Sequence, residues 1–464
     1  MDRLSGLDAS FLYLETPEQL MHVSGLLLLD PATMPDGYRF DQLREAIARR
    51  VRDVPMFTRK IRRVPLGLDH PLWVEDRHFD IDRHVHRLAL PAPGGDAELA
   101  ELVGHLAGQS LDRSRPLWEM YVIEGLASGQ LAVLAKMHHA SVDGVNGANA
   151  LSFFCSLEPE APLLDLPPSW QPITHRPRRT ELLARGVAVT ARKPFQLAAM
   201  VRPTVGILAE ASARTRRGMA MAAPLTAPRT SFNGTITGHR SVAFMDLPLD
   251  RVRAIKNAVP GATVNDVVLT LSGGALRRYL EERDELPAAS LLATVPVSVH
   301  AETSHEVGRN KVSSMFTRLG TDIADPVERL HRLAVINAHA KDHHKAIPAD
   351  TLQDWATFAG PRTFGTAMRA VTSLRLADRG PVIHNLIISN VPGPPMPLYF
   401  LGARINALYP LGPILHGAGL NISVMSLDGR LHVGVIACRE SVPEPSRLAE
   451  AFPLELDALS AALL

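Results

Sequence analysis

Apolar residues recur along the chain in two rhythms, and each predicts its own kind of element. In Asp41–Val51 (DQLREAIARRV), Leu43, Ile47 and Val51 fall four residues apart, on one face of a helix. Val264–Leu280 repeats the device, with Val264, Val267, Val268, Leu271 and Ala275 on one stripe. Shorter apolar runs predict strands: Ser24–Leu29 (SGLLLL), Met120–Leu126, Leu131–Met137, Arg240–Leu249, Leu291–Val299 and Asn385–Val391. Ala127–Gln130 joins two of these as a hairpin. Leu420–Ala437 alternates on both sides of Asp428–Gly429, a pair that favours a two-residue turn. A closing helix is expected from Pro445.

These elements give an α/β chain with mixed sheets. At 464 residues it is too long for one ordinary core, so two domains or one large composite unit are expected. The spans are 1–157, a connector at 158–228, and 229–464. The connector opens with the proline-rich Glu158–Pro172, which reads as extended chain. Arg176–Arg217 follows, rich in arginine and broken by Pro194 and Pro203. It is either a basic amphipathic grip on a membrane surface or on phosphates, or a solvated linker.

Composition narrows the function. Hydrophobic residues make up 46% and charged residues 21%, the profile of a folded chain. A formal net charge of +1 gives no reason to expect nucleic acid. The two cysteines, Cys155 and Cys438, sit in apolar runs and are expected as buried free thiols, which suits a reducing compartment. The N-terminal residues lack the basic and apolar regions of a signal peptide, and no run approaches about 18 apolar residues. The expectation is a cytoplasmic protein.

Chemistry concentrates in Met137–Gly147 (MHHASVDGVNG), between a strand and a helical run. Consecutive residues of an extended chain point to opposite faces, so one of His138 and His139 can face a cleft while the other faces the core. The same geometry makes a two-histidine metal site awkward, and no metal is expected. Asp143 is expected to cap the helix that begins near Gly144 and to orient His139 without joining the chemistry. Near a helix N-terminus an imidazole stays neutral and can accept a proton, which predicts a limb in the pH–rate profile between about pH 5 and 8. A second pair, His343–His344, lies in a charged setting and reads as surface.

MHHASVDG resembles the active-site motif of the wax ester synthase/diacylglycerol acyltransferase family, within the CoA-dependent acyltransferase superfamily that includes chloramphenicol acetyltransferase and peptide-synthetase condensation domains. Further blocks resemble that family in order: LSGLDASFLYLET with Met21–His22, Ser114–Glu119 (SRPLWE), Thr263–Val268 (TVNDVV), Val295–Val299 with Gly308–Asn310, Ser389–Pro394 (SNVPGP) and Gly419–Val424. His300 departs from the arginine often found after PVSV. The resemblance implies two pseudo-symmetric chloramphenicol acetyltransferase-like domains with an active-site tunnel at their interface, and His139 as the base.

It also implies transfer from a long-chain acyl-CoA to diacylglycerol, forming triacylglycerol. A long-chain alcohol giving a wax ester, a specialised cell-envelope lipid alcohol, and an inactive lipid-binding or storage-granule protein stay open as alternatives. No cofactor is expected, because acyl-CoA is a co-substrate. Peripheral attachment to the inner membrane or to lipid droplets also stays open. A base to take the hydroxyl proton and a ternary complex suffice, proximity alone being worth roughly 7–11 kcal/mol. No GxSxG nucleophile motif is present, and no acyl-enzyme is required. Asn265 is either a polar group near the oxyanion or acceptor, or a helix cap. Asp266 is expected to be structural. Ser389 and Asn390 either line the cleft or belong to a turn. Trp118 is expected in the core and Glu119 in a surface ion pair.

Overall fold

The structure, a computed structural model, describes residues 2–141, 153–160, 178–193, 195, 224–298, 312–345, 365, 370 and 372–464. Its strands are β1 (Asp2–Arg3), β2 (His22–Asp30), β3 (Arg59–Arg62), β4 (Leu72–Glu75), β5 (Val85–Ala89), β6 (Trp118–Glu124), β7 (Leu131–His138) and β8 (Cys155–Ser156), then β9 (Arg240–Pro248), β10 (Leu292–Ser298), β11 (Val312–Arg318), β12 (Leu386–Val391), β13 (Tyr399–Phe400), β14 (Ala403–Leu411), β15 (Leu420–Leu427) and β16 (Arg430–Cys438). The helices that matter here are α1 (Gly6–Leu14), α2 (Phe40–Arg52), α3 (Asp96–Ala107), α4 (179–193), α5 (Leu249–Ala258), α6 (Val264–Glu281), α7 (Pro326–Lys345) and α8 (Pro445–Leu463).

Two mixed sheets form the frame. The first runs β5-β6-β7-β2-β14-β13-β8 and the second β11-β10-β12-β15-β16-β9. A small sheet, β1-β4-β3, flanks the first. α2 buries Leu43, Ile47 and Val51, the stripe its spacing predicts. Both expected hairpins form, β6 with β7 and β15 with β16. Asp428 and Gly429 take φ of 45° and 78°, the left-handed pair that a tight hairpin turn demands.

Each half has its own core. α5, α6, α7 and α8 cover one face of the second sheet through Val252, Leu271, Leu333 and Phe452, which pack with Val424 and Val435. The other face turns toward the first sheet. There Val242, Ile436 and Cys438 join Leu26, Tyr121 and Leu134 in a shared cluster with α3. The sheets approach so closely at Gly434 that a Cβ there would lie 2.1 Å from the Pro410 carbonyl oxygen. The chain division at 157 and 229 does not divide the sheets. β13 and β14, from the second span, pair with β8 and β2 and complete the first sheet. Cys155 and Cys438 are both buried, and neither is in a disulfide.

Candidate active site

β7 delivers the two histidines. His138 is its last residue, and His139–Ser141 turns away as a short 3₁₀ segment. The break in the strand separates the two rings. His138 is buried; its Nδ1 accepts the backbone N–H of Ala140 at 3.0 Å, so its proton sits on Nε2 and is donated to Glu15 Oε2 at 2.5 Å. Both ring nitrogens are thereby used, which leaves His138 no lone pair for a metal or for substrate.

Glu15 follows α1 and gathers three partners. Besides His138 it meets Arg113 at 2.8 Å and the His22 ring at 3.8 Å. Burial raises the pKa of its carboxyl, but the His138 hydrogen bond and the charges of His138, Arg113 and His22 outweigh this and bring it to about 2. His22 stands opposite His138 in the β2–β7 register, edge to face at 5.7 Å. Burial, followed by the neighbouring His138, pushes its pKa down to about 3.

His139 sits differently. Its backbone N–H donates to the Met21 carbonyl at 2.8 Å, and its ring stacks on Phe11 at 4.0 Å. Nδ1 is buried with no partner among the described residues, while the residue as a whole is partly exposed. Burial pushes its pKa down to about 4, against a smaller upward pull from its own backbone carbonyl and with a further downward push from His138. The direction of this shift favours the neutral form. Its cause is desolvation, and the titration falls below the pH 5–8 window that a helix-end argument alone places it in. Asp143 and Gly144, with the expected helix cap, lie outside the described residues. So do His300 and the side chains of His343 and His344.

The second half brings two predicted residues together. Asn390 Nδ2 donates to Asn265 Oδ1 at 3.3 Å, joining β12 to the first turn of α6. Asn265 is not the cap. Thr263 holds that position, in a reciprocal box in which its N–H donates to Asp266 Oδ2 at 2.8 Å and its Oγ1 accepts the Asp266 N–H at 3.3 Å. Asn337 Nδ2 holds the other Asp266 oxygen at 2.7 Å, so Asp266 is structural as expected. The Asn265 NH₂ has no partner among the described residues. Ser389 lies in β12 opposite Ser423 of β15, and strand alternation points it to the other face from Asn390. Both residues are in a strand, not a turn. Val391, next along β12, belongs to the same apolar cluster as Val23 and Met137, so this end of the second sheet converges on the end of β7.

Trp118 is in the core as expected, its Nε1 donating to the Phe57 carbonyl. Glu119 is paired not at the surface but with the fully buried Lys136, 3.2 Å away, because β6 and β7 set these residues opposite each other under α3. Glu15, Arg113, His22 and Phe11 were not singled out by sequence reasoning. The only signal was that three of them fall inside the LSGLDASFLYLET and Met21–His22 blocks.

Residues 4–268 match the family profile described as wax ester synthase/diacylglycerol acyltransferase catalytic domain, and 309–460 match the WS/DGAT C-terminal domain. A Mycobacterium tuberculosis protein named as a diacylglycerol O-acyltransferase is 47% identical over 462 residues, covering 99% of this chain and 90% of its own length. A second from that organism with the same type of name is 35% identical, covering 97% and 96%. Among solved structures, the wax ester synthase/diacylglycerol acyltransferase from Marinobacter aquaeolei VT8 matches with a TM-score of 0.70 and 28% identity over 99% of both chains. The starter condensation domain of rhizomide synthetase shares the fold, with a TM-score of 0.52 and 13% identity over 100% of this chain and 95% of that one.

Proposed function

Since the chain belongs to the wax ester synthase/diacylglycerol acyltransferase family, we propose that it transfers a long-chain acyl group from CoA to diacylglycerol, with His139 as the base. The observation that carries this is the His139 imidazole itself. Burial favours its neutral form, the residue is partly exposed, and it is held between Phe11 and the Met21 backbone at the end of β7. The names of the mycobacterial relatives favour diacylglycerol as acceptor.

In this reading the acceptor O–H gives its proton to His139 as the oxygen attacks the thioester carbonyl. The tetrahedral intermediate then expels the thiolate of CoA, which takes that proton back from the imidazolium. With Nδ1 buried, Nε2 is the nitrogen left for both transfers. Asn265, whose NH₂ has no partner among the described residues, is the candidate donor to the acceptor or the oxyanion, with Asn390 fixing its orientation. Asp143 keeps its proposed role of bracing the loop. A tunnel between the sheets would keep water from the thioester. The Marinobacter match favours a long-chain alcohol as a second acceptor.

A peripheral seat on a membrane or lipid droplet is part of the proposal. No helix among the described residues is long and apolar enough to cross a membrane. Leu183 and Val187 are exposed one turn apart on α4, and Phe195 is exposed two residues past its end, in a stretch that also carries Arg178, Arg179 and Arg192.

The test is transfer of labelled palmitoyl-CoA to dioleoylglycerol and to hexadecanol by the wild type and His139→Ala. Loss of triacylglycerol by a factor of about 10² or more in the variant is expected. Undiminished activity in the variant would remove His139 from the chemistry, and no ester from folded wild type would overturn the reaction class.

A further inference from the structure

A cleft of about 500 Å³ opens between β3, β4 and α4, lined by Lys60, Arg62, Arg63 and Arg179 above an apolar floor that includes Val64 and Leu182. No acid lines it. A larger groove on the other flank of the first sheet, about 710 Å³, sets Arg44 and Arg87 against Asp41 and Asp82 and so selects no sign of charge. The cleft at β3 does select one. A concave site with cations of a single sign focuses its field outward and repels itself when empty.

Its cations are placed by the fold. Lys60 and Arg62 alternate with Ile61, so they share the face of β3 that turns toward α4, while Ile61 turns toward α1. α4 is held against this face at several points. Leu182 packs on Val64 and Leu72, Arg185 reaches Asp69 at 3.7 Å, and the Thr190 hydroxyl donates to the Leu68 carbonyl at 3.3 Å. Lys60 is partly neutralised by Asp76 at 2.8 Å. Arg62, half-buried, has no acidic partner among the described residues, nor do Arg63 and Arg179. Three guanidinium groups with no acidic partner among the described residues, set around an apolar floor, suit a ligand that carries several phosphates next to a flat organic ring.

The cleft is also near the candidate site. Ile61, which also borders the cleft, belongs to the apolar cluster of Leu12, Ala140 and Phe11, and Phe11 stacks on His139. Beyond a single bridge from Lys60 to Pro116, the outer edge of β3 has no partner strand among the described residues. A flexible chain can pass that edge from one face to the other, a distance on the order of 10 Å for one packed layer.

We infer that this cleft binds the phosphorylated adenosine end of the acyl-CoA donor, Arg62, Arg63 and Arg179 taking its phosphates while the thioester arm turns past β3 toward His139. The inference rests on the proposed acyl-CoA reaction. The same phosphate chemistry is offered by an anionic lipid headgroup, so the experiment separates the two sources.

The full chain carrying Arg62→Gln, Arg63→Gln and Arg179→Gln is compared with wild type on palmitoyl-CoA and on palmitoyl-N-acetylcysteamine, a thioester with no phosphate. The ratio of kcat/KM for the two donors should fall about tenfold or more, since each lost charged phosphate contact is worth about a factor of ten. Adenosine 3′,5′-bisphosphate, titrated calorimetrically without turnover, should bind wild type and bind the variant at least about tenfold more weakly. The triple Arg→Lys variant should recover most of both effects and guards against misfolding. An unchanged ratio, or equal losses on both donors, would overturn the assignment. So would an unchanged ratio with weaker sedimentation on phosphatidylglycerol vesicles, which would give the cleft to a lipid headgroup. Wild type that binds the bisphosphate yet transfers from neither donor would instead overturn the reaction on which the inference rests.

Discussion

An imidazole can be kept neutral at pH 7 by a nearby positive potential or by removal from water, and the two leave different traces. At His139 the second dominates, so the base should stay competent well below the ordinary histidine range. The expected kcat/KM for palmitoyl-CoA is flat from about pH 8 to about 5.5 and falls toward an acid limb near the His139 value of about 4. A limb near 6.5 would mean that the ring is hydrated in solution. The sign of the stability effect must be watched in that assay. His22 and His139 both have depressed values, so the unfolded chain takes up protons first, and stability declines as pH falls from about 6.5 toward about 4. Glu15 adds a loss only lower down, between its ordinary value and about 2. Circular dichroism at each pH separates unfolding from titration of the base. The histidine pair was legible in the sequence because two adjacent rings before an Asp-Gly are rare and chemically pointed. Glu15 was not, because its meaning comes from Arg113 and His138, about a hundred residues away.

At the scale of elements, periodicity carried most of the information. The α2 stripe, the α6 stripe and both hairpins are local patterns, and burial of one face is enough to realise them. What periodicity does not contain is which faces meet. Asn265 heads α6, and its residue type and position suit a cap, yet Thr263 two residues earlier wins because its hydroxyl and Asp266 satisfy two backbone donors reciprocally. Gly434 is a second case. Within β16 a glycine looks like a weak strand residue, but here it lets β14 of the first sheet come against the second. Gly434→Ala should therefore destabilise by about 1–3 kcal/mol, because the added carbon meets backbone and not a movable side chain. Differential scanning calorimetry should show the transition lowered by several degrees. An unmoved transition would mean that the two sheets stand farther apart than this contact implies.

For the whole molecule, the order of segments in the chain is a poor guide to their order in space. The three spans drawn from composition follow the sequence, but the first sheet is finished by β13 and β14, which arrive almost 250 residues after β8. A strand crossing between halves leaves no local signature, since its alternation is the same in either sheet. The connector is the opposite case. Its basic, apolar character was plain from residue types, but only the fold shows how α4 divides its surface. Leu182 and Gly186 face the small sheet, whereas Leu183, Val187 and Phe195 are left to solvent. Leu183 and Val187, exposed one turn apart on α4, with Phe195 exposed beyond its end and arginines nearby in the chain, are costly in water and favourable at an anionic bilayer surface. That face is distinct from the phosphate cleft, so the two can be tested apart. Replacing Leu183, Val187 and Phe195 with Gln should weaken co-sedimentation with phosphatidylglycerol vesicles by about tenfold or more, while leaving the preference for palmitoyl-CoA over its phosphate-free analogue where it was. Binding that persists in this variant would locate any membrane contact elsewhere on the molecule. Binding that is lost together with the donor preference would mean that α4 does not hold its two faces independently.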